Sequence, residues 1–432
     1  MLFWRSRWNR PLVTGGGGEQ LRRVGFGAKN GDYYGESAVT HAQVRAFDSP
    51  CKAPFLSPKS NREQVCLESN DLDSSLSSSR AVQSGVAIHS PNTQKLESKS
   101  PQAPFGELIP SLSSLAQAHI NFSPTNSIGG LVQVAGTGWT MAGTIAHLCG
   151  IPLAMPIGGN SFSNKYFLDS ALCASDVLAT RGYSQVYLSG LDSSFAGMKY
   201  FLQSHSIAVM DLPYFQAQGI VPAHLDQDLQ GFWGLKDSKI FELALDTLPT
   251  LKEPFALYIS TIDTHHPDGF VDSHACGDIE RDYKGAFTCT DRLIADFIKR
   301  AQSIYGDSLS IVVLGDHLSM KVGGFFPPNV NRYVFNLFIN PKFTTPYTIE
   351  STKSRTLSHF DIAPLLLDSV GIRAESFGLG RNPLYGQTLL ESTFSQDELN
   401  AQISQKNRMY DSFWEVGHKP TLKHLHLAPK EQ

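Results

Sequence analysis

Between residues 105 and 391 the sequence alternates short apolar runs with segments of helical periodicity, and this alternation restricts the fold more than any other feature. The predicted strands are residues 131–134, 185–189, 207–212, 255–261 and 310–314. The predicted helices are residues 141–149, 240–248, 289–303 and 359–370. Strands that alternate with helices favour a mostly parallel sheet covered by helices. We therefore predict an α/β fold with a central, mostly parallel sheet flanked by helices.

The two ends of the chain differ from this middle part in their composition and in their pattern of apolar residues. Residues 1–104 contain a run of four glycines and two serine-rich stretches but little periodic apolar pattern. Such composition predicts an atypical, low-complexity and largely disordered N-terminal region. Residues 392–432 are predicted to be a polar C-terminal tail, and three histidines, His418, His424 and His426, lie near its end.

Composition excludes several classes of partner. With a formal net charge of -4, the chain lacks the excess of basic residues that is typical of nucleic-acid-binding proteins, so we expect no nucleic-acid partner. No stretch of about 20 unbroken apolar residues predicts a transmembrane helix, and the basic start of the chain is followed by glycines instead of the apolar segment of a signal peptide. The six cysteines include no Cys-x-x-Cys pair, which argues against a zinc ribbon.

Asp316 and His317 follow directly after an apolar strand and a turn glycine, Gly315. Ligands of open α/β sheets bind at the carboxyl ends of the strands, and an adjacent carboxylate and imidazole can together hold a divalent cation. The alternative is an aspartate that caps a helix beside a surface histidine. The pair is a candidate metal site.

Thr140 lies between the predicted strand 131–134 and a helix rich in small residues. A helix N-terminus offers free N–H groups and positive potential, which suit a phosphate ester formed at this hydroxyl. The alternative is a threonine N-cap. Thr140 is therefore a candidate nucleophile.

Further polar residues follow other predicted strands or open a helix. His265 and His266 come after the strand 255–261 and could hold a phosphoryl oxygen or protonate a leaving alcohol, although loop histidines are more often solvated. Lys199 could contact an anion, and His359 could line the same pocket or lie in the core. We predict that these four residues bind substrate.

Seven ordered segments carry a family resemblance: FGELIPSL (105–112), GTGWTMAG (136–143), CGIPL (149–153), DTHHPDGF (263–270), CTDRLIADFI (289–298), LGDHL (314–318) and GLGR (378–381). They resemble the phosphoglycerol transferases of periplasmic glucans and the lipoteichoic-acid synthases, which are members of the alkaline phosphatase and sulfatase superfamily. The resemblance implies that residues 105–391 form a catalytic domain of the sulfatase type.

The resemblance also implies a reaction. Thr140 would be the nucleophile, Asp316 and His317 would bind one divalent metal ion (manganese, magnesium or zinc) together with Thr140, and His265 would contact the transferred group and act as acid or base. A phosphoglycerol-bearing lipid or soluble donor would give a phosphothreonine-type intermediate, which a glycan acceptor then attacks. By resemblance alone the protein would be associated with the membrane, on the periplasmic side of the bacterial inner membrane.

In that family an acidic metal ligand ends a strand that precedes the segment matching residues 105–112. Glu68 is the first candidate, because it keeps the spacing of the family from asparagine to glutamate. Glu97 is the second candidate. A third possibility is that residues 86–90 form the strand and that the ligand is lost.

The resemblance further implies disulfides that involve Cys149 and Cys173, and Cys276 and Cys289. The alternative is four unpaired buried thiols, as in a cytosolic protein.

Metal-dependent transfer of phosphoglycerol is thus the leading hypothesis. The enzymatic alternative is hydrolysis of a phosphodiester or a sulfate ester. Related sulfatases need a Cys/Ser-x-Pro-x-Arg motif, which the segment beginning at Thr140 lacks. The non-enzymatic alternative is an inactive truncated remnant that acts as a binding protein.

Overall fold

The computed structural model describes residues 2–5, 105–154, 166–321, 326 and 330–417. Its main sheet has seven strands in the spatial order β2-β7-β6-β1-β5-β3-β4. The strands are β1 (Leu2–Arg5), β2 (Gly130–Leu131), β3 (Ser184–Ser189), β4 (Ala208–Met210), β5 (Phe255–Ser260), β6 (Leu309–Leu314) and β7 (Val334–Ile339). A small hairpin follows, β8 (Ser376–Phe377) and β9 (Gly380–Arg381). Strands β2 to β6 share one direction, and β1 and β7 oppose it, so the predicted mostly parallel sheet is confirmed.

Helices cover both faces of the sheet. They are α1 (Phe105–Leu108), α2 (Pro110–Ala118), α3 (Thr140–Cys149), α4 (Ala174–Thr180), α5 (Met198–Ser204), α6 (Leu212–Ala217), α7 (Asp237–Thr247), α8 (Ser273–Cys276), α9 (Tyr283–Tyr305), α10 (Ile362–Asp368), α11 (Leu389–Ser392), α12 (Gln396–Ile403) and α13 (Arg408–Ser412). Strand side chains alternate between two cores: in β6, Ile311 and Val313 join the core under α7 and α9, and Val312 joins the core under α3 and α10. The alternating apolar side chains of the strands thus provide a core for the helices on each face of the sheet.

The N-terminal strand β1 lies in the middle of the sheet. Leu2 pairs with Tyr258 of β5 and Val312 of β6, and Arg5 pairs with Phe255 and Leu309. Residues 2–5 of the region predicted to be largely disordered thus form a strand, and the rest of the region 1–104 lies outside the described residues. A tetrapeptide is too short to show periodicity, so its pairing could not be read from its own sequence.

The described part of the predicted C-terminal tail packs on the domain. Helix α12 buries Leu399, and the side chain of Asn400 accepts a hydrogen bond from the backbone of Ala135 at 2.7 Å. Tyr410 in α13 accepts one from the backbone N–H of Ala154 at 2.9 Å. A few apolar and polar side chains thus attach the two short helices of this region to the domain.

Two disulfides tie the flanking helices together. Cys149 at the end of α3 is bonded to Cys173 just before α4, and Cys276 in α8 is bonded to Cys289 in α9. The disulfides implied by the family resemblance are confirmed. Within the part of the chain that the structure describes, no helix is long and apolar enough to cross a membrane.

The central position of β1 predicts a strong effect of proline at Phe3. A strand flanked on both sides uses its interior N–H groups in the ladder, and proline removes one donor and leaves a carbonyl unpaired. We expect Phe3→Pro to lower the free energy of unfolding by on the order of 2 kcal/mol, measured by denaturant titration. Phe3→Leu keeps the N–H and serves as the control. Equal stability of the two variants would show that the β1 pairing contributes nothing.

Candidate active site

Three strands of the same direction end at one edge of the sheet, and each is followed by a predicted site residue. The chain leaves β2 and reaches Thr140 at the start of α3, leaves β5 and reaches His265, and leaves β6 and reaches Asp316. Parallel strands bring their carboxyl ends to a common edge, which is where open α/β sheets bind ligands. The predicted clustering of these residues thus agrees with the topology.

A close backbone approach joins α3 to the end of β6. A Cβ atom at Gly143 would lie 2.1 Å from the carbonyl oxygen of Asp316, so only glycine fits there. His359 donates a hydrogen bond from Nε2 to the same oxygen at 2.9 Å. Thr140 lies three residues before Gly143, on the same helix face. The approach therefore brings the first turn of α3, which begins at Thr140, close to the backbone of Asp316.

Thr140 is the first residue of α3, and the N-cap position belongs to Trp139, which makes no capping bond through its side chain. Thr140 is thus not the N-cap residue of this helix, as the alternative interpretation of the sequence required. A hydroxyl in the first turn of a ten-residue helix lies in the positive potential of its unpaired N–H groups. This setting stabilises negative charge that develops at Thr140.

Asp316 and His317 are arranged as a pair of metal ligands. Nδ1 of His317 lies 2.8 Å from the carbonyl oxygen of Leu318, which can only accept, so Nδ1 carries the proton and Nε2 is free. Nε2 lies 3.5 Å from Oδ2 of Asp316. An imidazole nitrogen and a carboxylate oxygen are donor atoms that divalent cations such as zinc take from proteins. These two residues fit a divalent cation.

A third protein ligand is not found among the described residues near this pair. Glu68 and Glu97 lie outside them, so the acidic ligand stays a prediction. The strand β1 cannot supply it from its carboxyl end, because Arg5 pairs with Phe255 and Leu309 at the opposite edge of the sheet.

One other group of ligand atoms is compact, namely Cys173, Asp176 and His205. The sulfur of Cys173 is bonded to Cys149, and Asp176 accepts hydrogen bonds from the N–H of Cys173 and lies 2.8 Å from Nδ1 of His205. A disulfide sulfur is a poor metal ligand, and the carboxylate is already engaged. We interpret this group as a buried structural ion pair.

His265 has the same tautomer as His317. Its Nδ1 lies 2.6 Å from the carbonyl oxygen of His266, so it donates there and Nε2 is free. Half-burial lowers the pKa of His265, and so do the nearby rings of His266 and His317, whereas the hydrogen bond to the backbone carbonyl of His266 and the charge of Asp316 raise it. The ring is therefore neutral at neutral pH and can accept a proton at Nε2, and its electrostatic partners agree with a position near the metal pair.

A pair of buried carboxylates supports the His265 loop. Asp237 accepts hydrogen bonds from the N–H groups of Ile262 and Asp263 at 2.8 and 3.2 Å, and Asp263 accepts one from the N–H of Asp237 at 2.9 Å. Burial raises the pKa of Asp263 to about 6, and burial and the charge of Asp263 raise the pKa of Asp237 well above its ordinary value. At least one carboxyl of this pair holds its proton above the usual range.

Two predicted substrate contacts take other positions. His359 is fully buried, its ring is stacked on His147 at 5.0 Å, and it bonds the backbone of Asp316. Burial lowers its pKa to about 4, so it is a neutral residue that positions Asp316 and does not line a substrate pocket. The ammonium of Lys199 lies 3.9 Å from the buried Asp211, and its role as an anion contact stays a prediction.

Sequence reasoning missed several residues that shape this edge. Gln133 accepts a hydrogen bond from the N–H of Leu318 at 2.7 Å, which ties the metal loop to the loop before α3. The ring of Trp233 packs at a tilt against His265 with centroids 4.1 Å apart, and Phe232 stacks on Trp233. The sequence Gly-Phe-Trp-Gly at 231–234, two aromatics between glycines, was a visible signal of an exposed aromatic turn.

A family model described as sulfatase matches residues 170–372, a segment that holds His265, Asp316, His317 and His359 and begins after Thr140. Residues 170–372 thus resemble the sulfatase family of the alkaline phosphatase superfamily. The family resemblance seen in the sequence and the predicted fold class are confirmed.

Within this superfamily the chain is similar to proteins named phosphoglycerol transferase I. The protein from Xanthomonas axonopodis pv. citri is 37% identical over 232 residues, which are 50% of this chain and 31% of that protein. The protein from Salmonella choleraesuis is 33% identical over 301 residues, 66% of this chain and 37% of that protein. The chain thus spans about a third of the length of the curated relatives it matches.

A crystal structure of the lipoteichoic acid synthase LtaP from Listeria monocytogenes aligns with a TM-score of 0.46 and 14% identity, covering 66% of this chain and 70% of that one.

The close approach at Gly143 predicts that a single methyl group disturbs the metal pair. Gly143→Ala places a Cβ against the carbonyl of Asp316, so the two segments must separate. We expect divalent metal affinity to fall roughly tenfold or more, as for other groups that orient metal ligands. Calorimetric titration with Mn²⁺ measures this. Gly106→Ala is the matched control, since Gly106 is helical and nothing lies within 4 Å of the added atom. Equal affinities for the two variants would contradict the assigned role of the approach.

The raised pKa of Asp263 predicts how stability changes with pH. The folded state keeps this proton up to about pH 6 and the unfolded state only to about pH 4, so stability is lost as the pH rises between these values. Asp263→Asn mimics the protonated form and does not titrate. Relative to the wild type, the variant should therefore gain on the order of 2 kcal/mol between pH 4 and pH 7, measured by urea unfolding. Parallel pH profiles would show that Asp263 has an ordinary pKa.

Proposed function

We propose that this chain transfers a phosphoglycerol group to a hydroxyl of a cell-envelope glycan, with Thr140 as the nucleophile. The observation that supports it best is the close approach of Gly143 in α3 to the backbone of Asp316, whose carboxylate lies 3.5 Å from Nε2 of His317. The similarity to proteins named phosphoglycerol transferase I favours this group over other phosphoryl groups.

The first half of the reaction transfers the group to the enzyme. The oxygen Oγ1 of Thr140 attacks the phosphorus, and the bond from phosphorus to the alcohol of the donor breaks. The threonine loses its proton to a base, and the departing alcohol takes one up. His265 is suited to this exchange because its Nε2 is free and its ring is neutral. The product is a phosphothreonine-type intermediate at Thr140.

The second half reverses these roles. A hydroxyl of the acceptor gives its proton to His265 and attacks the phosphorus, the bond to Oγ1 breaks, and Thr140 regains a proton. The N-terminus of α3 stabilises the charge that builds at Thr140 in both halves. The sequence of two displacements restores the enzyme.

One divalent cation, manganese, magnesium or zinc, held by Asp316, His317 and Thr140 with Glu68 as the proposed acidic ligand, would lower the pKa of the threonine hydroxyl and neutralise charge on the phosphoryl oxygens. Two hydrogen bonds orient the residues that would hold this cation. His317 presents Nε2 because Leu318 holds Nδ1, and His359 holds the backbone of Asp316.

The proposal includes the surroundings of the reaction. The donor would be a phosphoglycerol-bearing lipid or a soluble phosphoglycerol ester, and the place the bacterial cell envelope, on the periplasmic side of the inner membrane. The two disulfides support an oxidising compartment of this kind.

Hydrolysis of a phosphodiester is the second candidate, because water can replace the sugar hydroxyl in the second half of the reaction. Hydrolysis of a sulfate ester has less support, since the nucleophile position is a threonine without the motif of related sulfatases.

Replacing the nucleophile tests the proposal. Thr140→Ala removes the attacking oxygen, so the release of the donor alcohol from a phosphoglycerol ester should fall at least about 1000-fold. The rate is measured with Mn²⁺, Mg²⁺ or Zn²⁺ present, and mass spectrometry of peptides from the quenched wild-type enzyme should find the phosphoglyceryl group on Thr140.

The matched control is Thr144→Ala, which changes the same residue type one turn later in α3 and should stay within about threefold of the wild type. A wild-type protein that binds no metal and reacts no faster than Thr140→Ala would instead support the binding-protein alternative.

A further inference from the structure

A buried cluster of sulfur-bearing and polar side chains lies at the opposite end of α3 from Thr140. Cys149, the last residue of α3, is bonded to Cys173. Beside this disulfide lie Asp176, in the first turn of α4, and His205, directly after α5. One ligand atom from each of Cys173, Asp176 and His205 can be chosen so that all three lie within 4.8 Å of one another. Segments that are distant in sequence thus bring potential metal ligands to one point.

All the members of this cluster are shielded from solvent. Both cysteines and His205 are at most 1% exposed, and Asp176 is 8% exposed. Carboxylates and imidazoles are seldom buried in a core unless they are paired or hold a ligand. Apolar packing alone therefore does not explain why these two groups lie against a disulfide.

The disulfide form leaves the imidazole of the cluster incompletely bonded. Asp176 accepts a hydrogen bond from the N–H of Cys173 at 2.9 Å, and Nδ1 of His205 lies 2.8 Å from the same carboxylate oxygen. An ionised carboxylate only accepts, so Nδ1 carries the proton. The other ring nitrogen, Nε2, is buried and has no hydrogen-bond partner among the described residues. A buried ring nitrogen of this kind needs an explanation beyond packing.

Reduction of the disulfide changes what its two sulfurs can bind. A dithiol that supplies two electrons and two protons converts Cys149 and Cys173 to thiols, whose thiolate forms are strong zinc ligands. The cluster then offers two thiolates, one imidazole and one carboxylate. Zinc in structural sites is held by four ligands of these types in a tetrahedron. The reduced cluster therefore has the number and the kinds of ligand that zinc takes.

The spacing of the cluster also fits one ion. Zinc bonds nitrogen and oxygen at about 2.0–2.2 Å and sulfur at about 2.3 Å, so the ligand atoms of one ion lie roughly 3–4 Å apart. The distance of 2.8 Å between Nδ1 of His205 and Asp176 and the upper limit of 4.8 Å for the group bracket this spacing. The ion would replace the proton that now lies between the imidazole and the carboxylate.

The second disulfide is an internal comparison. Cys276 and Cys289 are also buried, but they pack with Val271, Ala286 and other apolar side chains. Around them the described part of the chain has no compact group of three metal-ligating atoms. A buried disulfide does not by itself collect such ligands, so the group around Cys173 is a specific feature of this end of α3.

We propose that the reduced form of this protein binds one Zn²⁺ ion at this cluster, with four ligands: Cys149, Cys173, Asp176 and His205. The zinc ion and the disulfide are then alternative links between the end of α3 and the start of α4. The site is separate from the candidate catalytic metal pair, and the inference does not depend on the proposed reaction.

Oxidation exchanges the zinc ion for the disulfide. One thiolate attacks a sulfur of a small disulfide oxidant and releases one thiolate from it. The second thiolate attacks the resulting mixed disulfide, so that the bond between Cys149 and Cys173 forms and a second thiolate leaves. The oxidant has gained two electrons, Zn²⁺ has lost two of its four ligands and leaves, and His205 regains its proton from water. A chain that moves from a reducing to an oxidising compartment passes through both states.

The test uses Co²⁺ as a probe for zinc, because thiolate-bound Co²⁺ shows a sulfur-to-metal charge-transfer band that nitrogen and oxygen ligands alone do not give. Every protein carries Cys51→Ser and Cys66→Ser, so that the remaining four cysteines are those of the two disulfides. After reduction by a phosphine without oxygen, one equivalent of Co²⁺ should produce the band, and Zn²⁺ should abolish it. The oxidised protein should show no band. A reduced protein without the band would overturn the proposal.

Two double variants locate the site. Cys149→Ser with Cys173→Ser should lose the band, whereas Cys276→Ser with Cys289→Ser, the matched control, should keep it. Each removes one disulfide, and circular dichroism checks that both remain folded. A band that survives the first change, or that the second change removes, would contradict the assignment. The comparison of the reduced and oxidised parent protein does not depend on the folding of any variant.

The two other ligands are tested by affinity for Zn²⁺, measured in competition with a chromogenic chelator. His205→Asn keeps a donor for Asp176 but has no basic nitrogen, and Asp176→Asn removes the charge. Each should weaken binding at least about tenfold, since even groups that only orient a metal ligand contribute that much. Unchanged affinity in both would show that the ligand set is wrong. Thr140→Ala should keep the band, so failure of the proposed function would leave the zinc site standing, and the reverse holds as well.

Discussion

The contact between Gly143 and the backbone of Asp316 is the constraint on which the candidate site depends. It leaves no room for a side chain between α3 and the end of β6, and His359 holds the same carbonyl from behind. Close packing of this kind makes the distance between two segments insensitive to side-chain motion. The start of α3 and the end of β6 are therefore held together by their backbones, whatever the side chains of Thr140 and Asp316 do.

The parts of this arrangement that were predictable from the sequence share one physical origin. Each strand of the parallel set is a compact apolar run, and each is followed directly by glycine or polar residues, as at Gly315-Asp316-His317. Because parallel strands end at one edge, the predicted sheet was enough to direct the segments that carry Thr140, His265 and Asp316 to that edge. The family resemblance added the disulfide pairs, which spacing alone would have left open.

Other features depend on contacts between distant segments, and no local pattern reports them. The burial of His359 follows from its stacking on His147, and the place of Trp233 follows from two glycines that rest on other loops. Strand β7, Val334–Ile339, reads as an apolar run but was not predicted, and it runs opposite to β6. Side-chain roles at the site were thus harder to predict than its location.

The tetrapeptide β1 separates the two halves of the catalytic edge. On one side lie β6, β7 and β2, which lead to Asp316 and Thr140, and on the other side lie β5, β3 and β4, which lead to His265 and Trp233. Two strand spacings, about 9.5 Å, set the gap between β5 and β6. The spacing between the segments that carry His265 and Asp316 therefore depends on the backbone width of one short strand at the far N-terminal end of the described sequence.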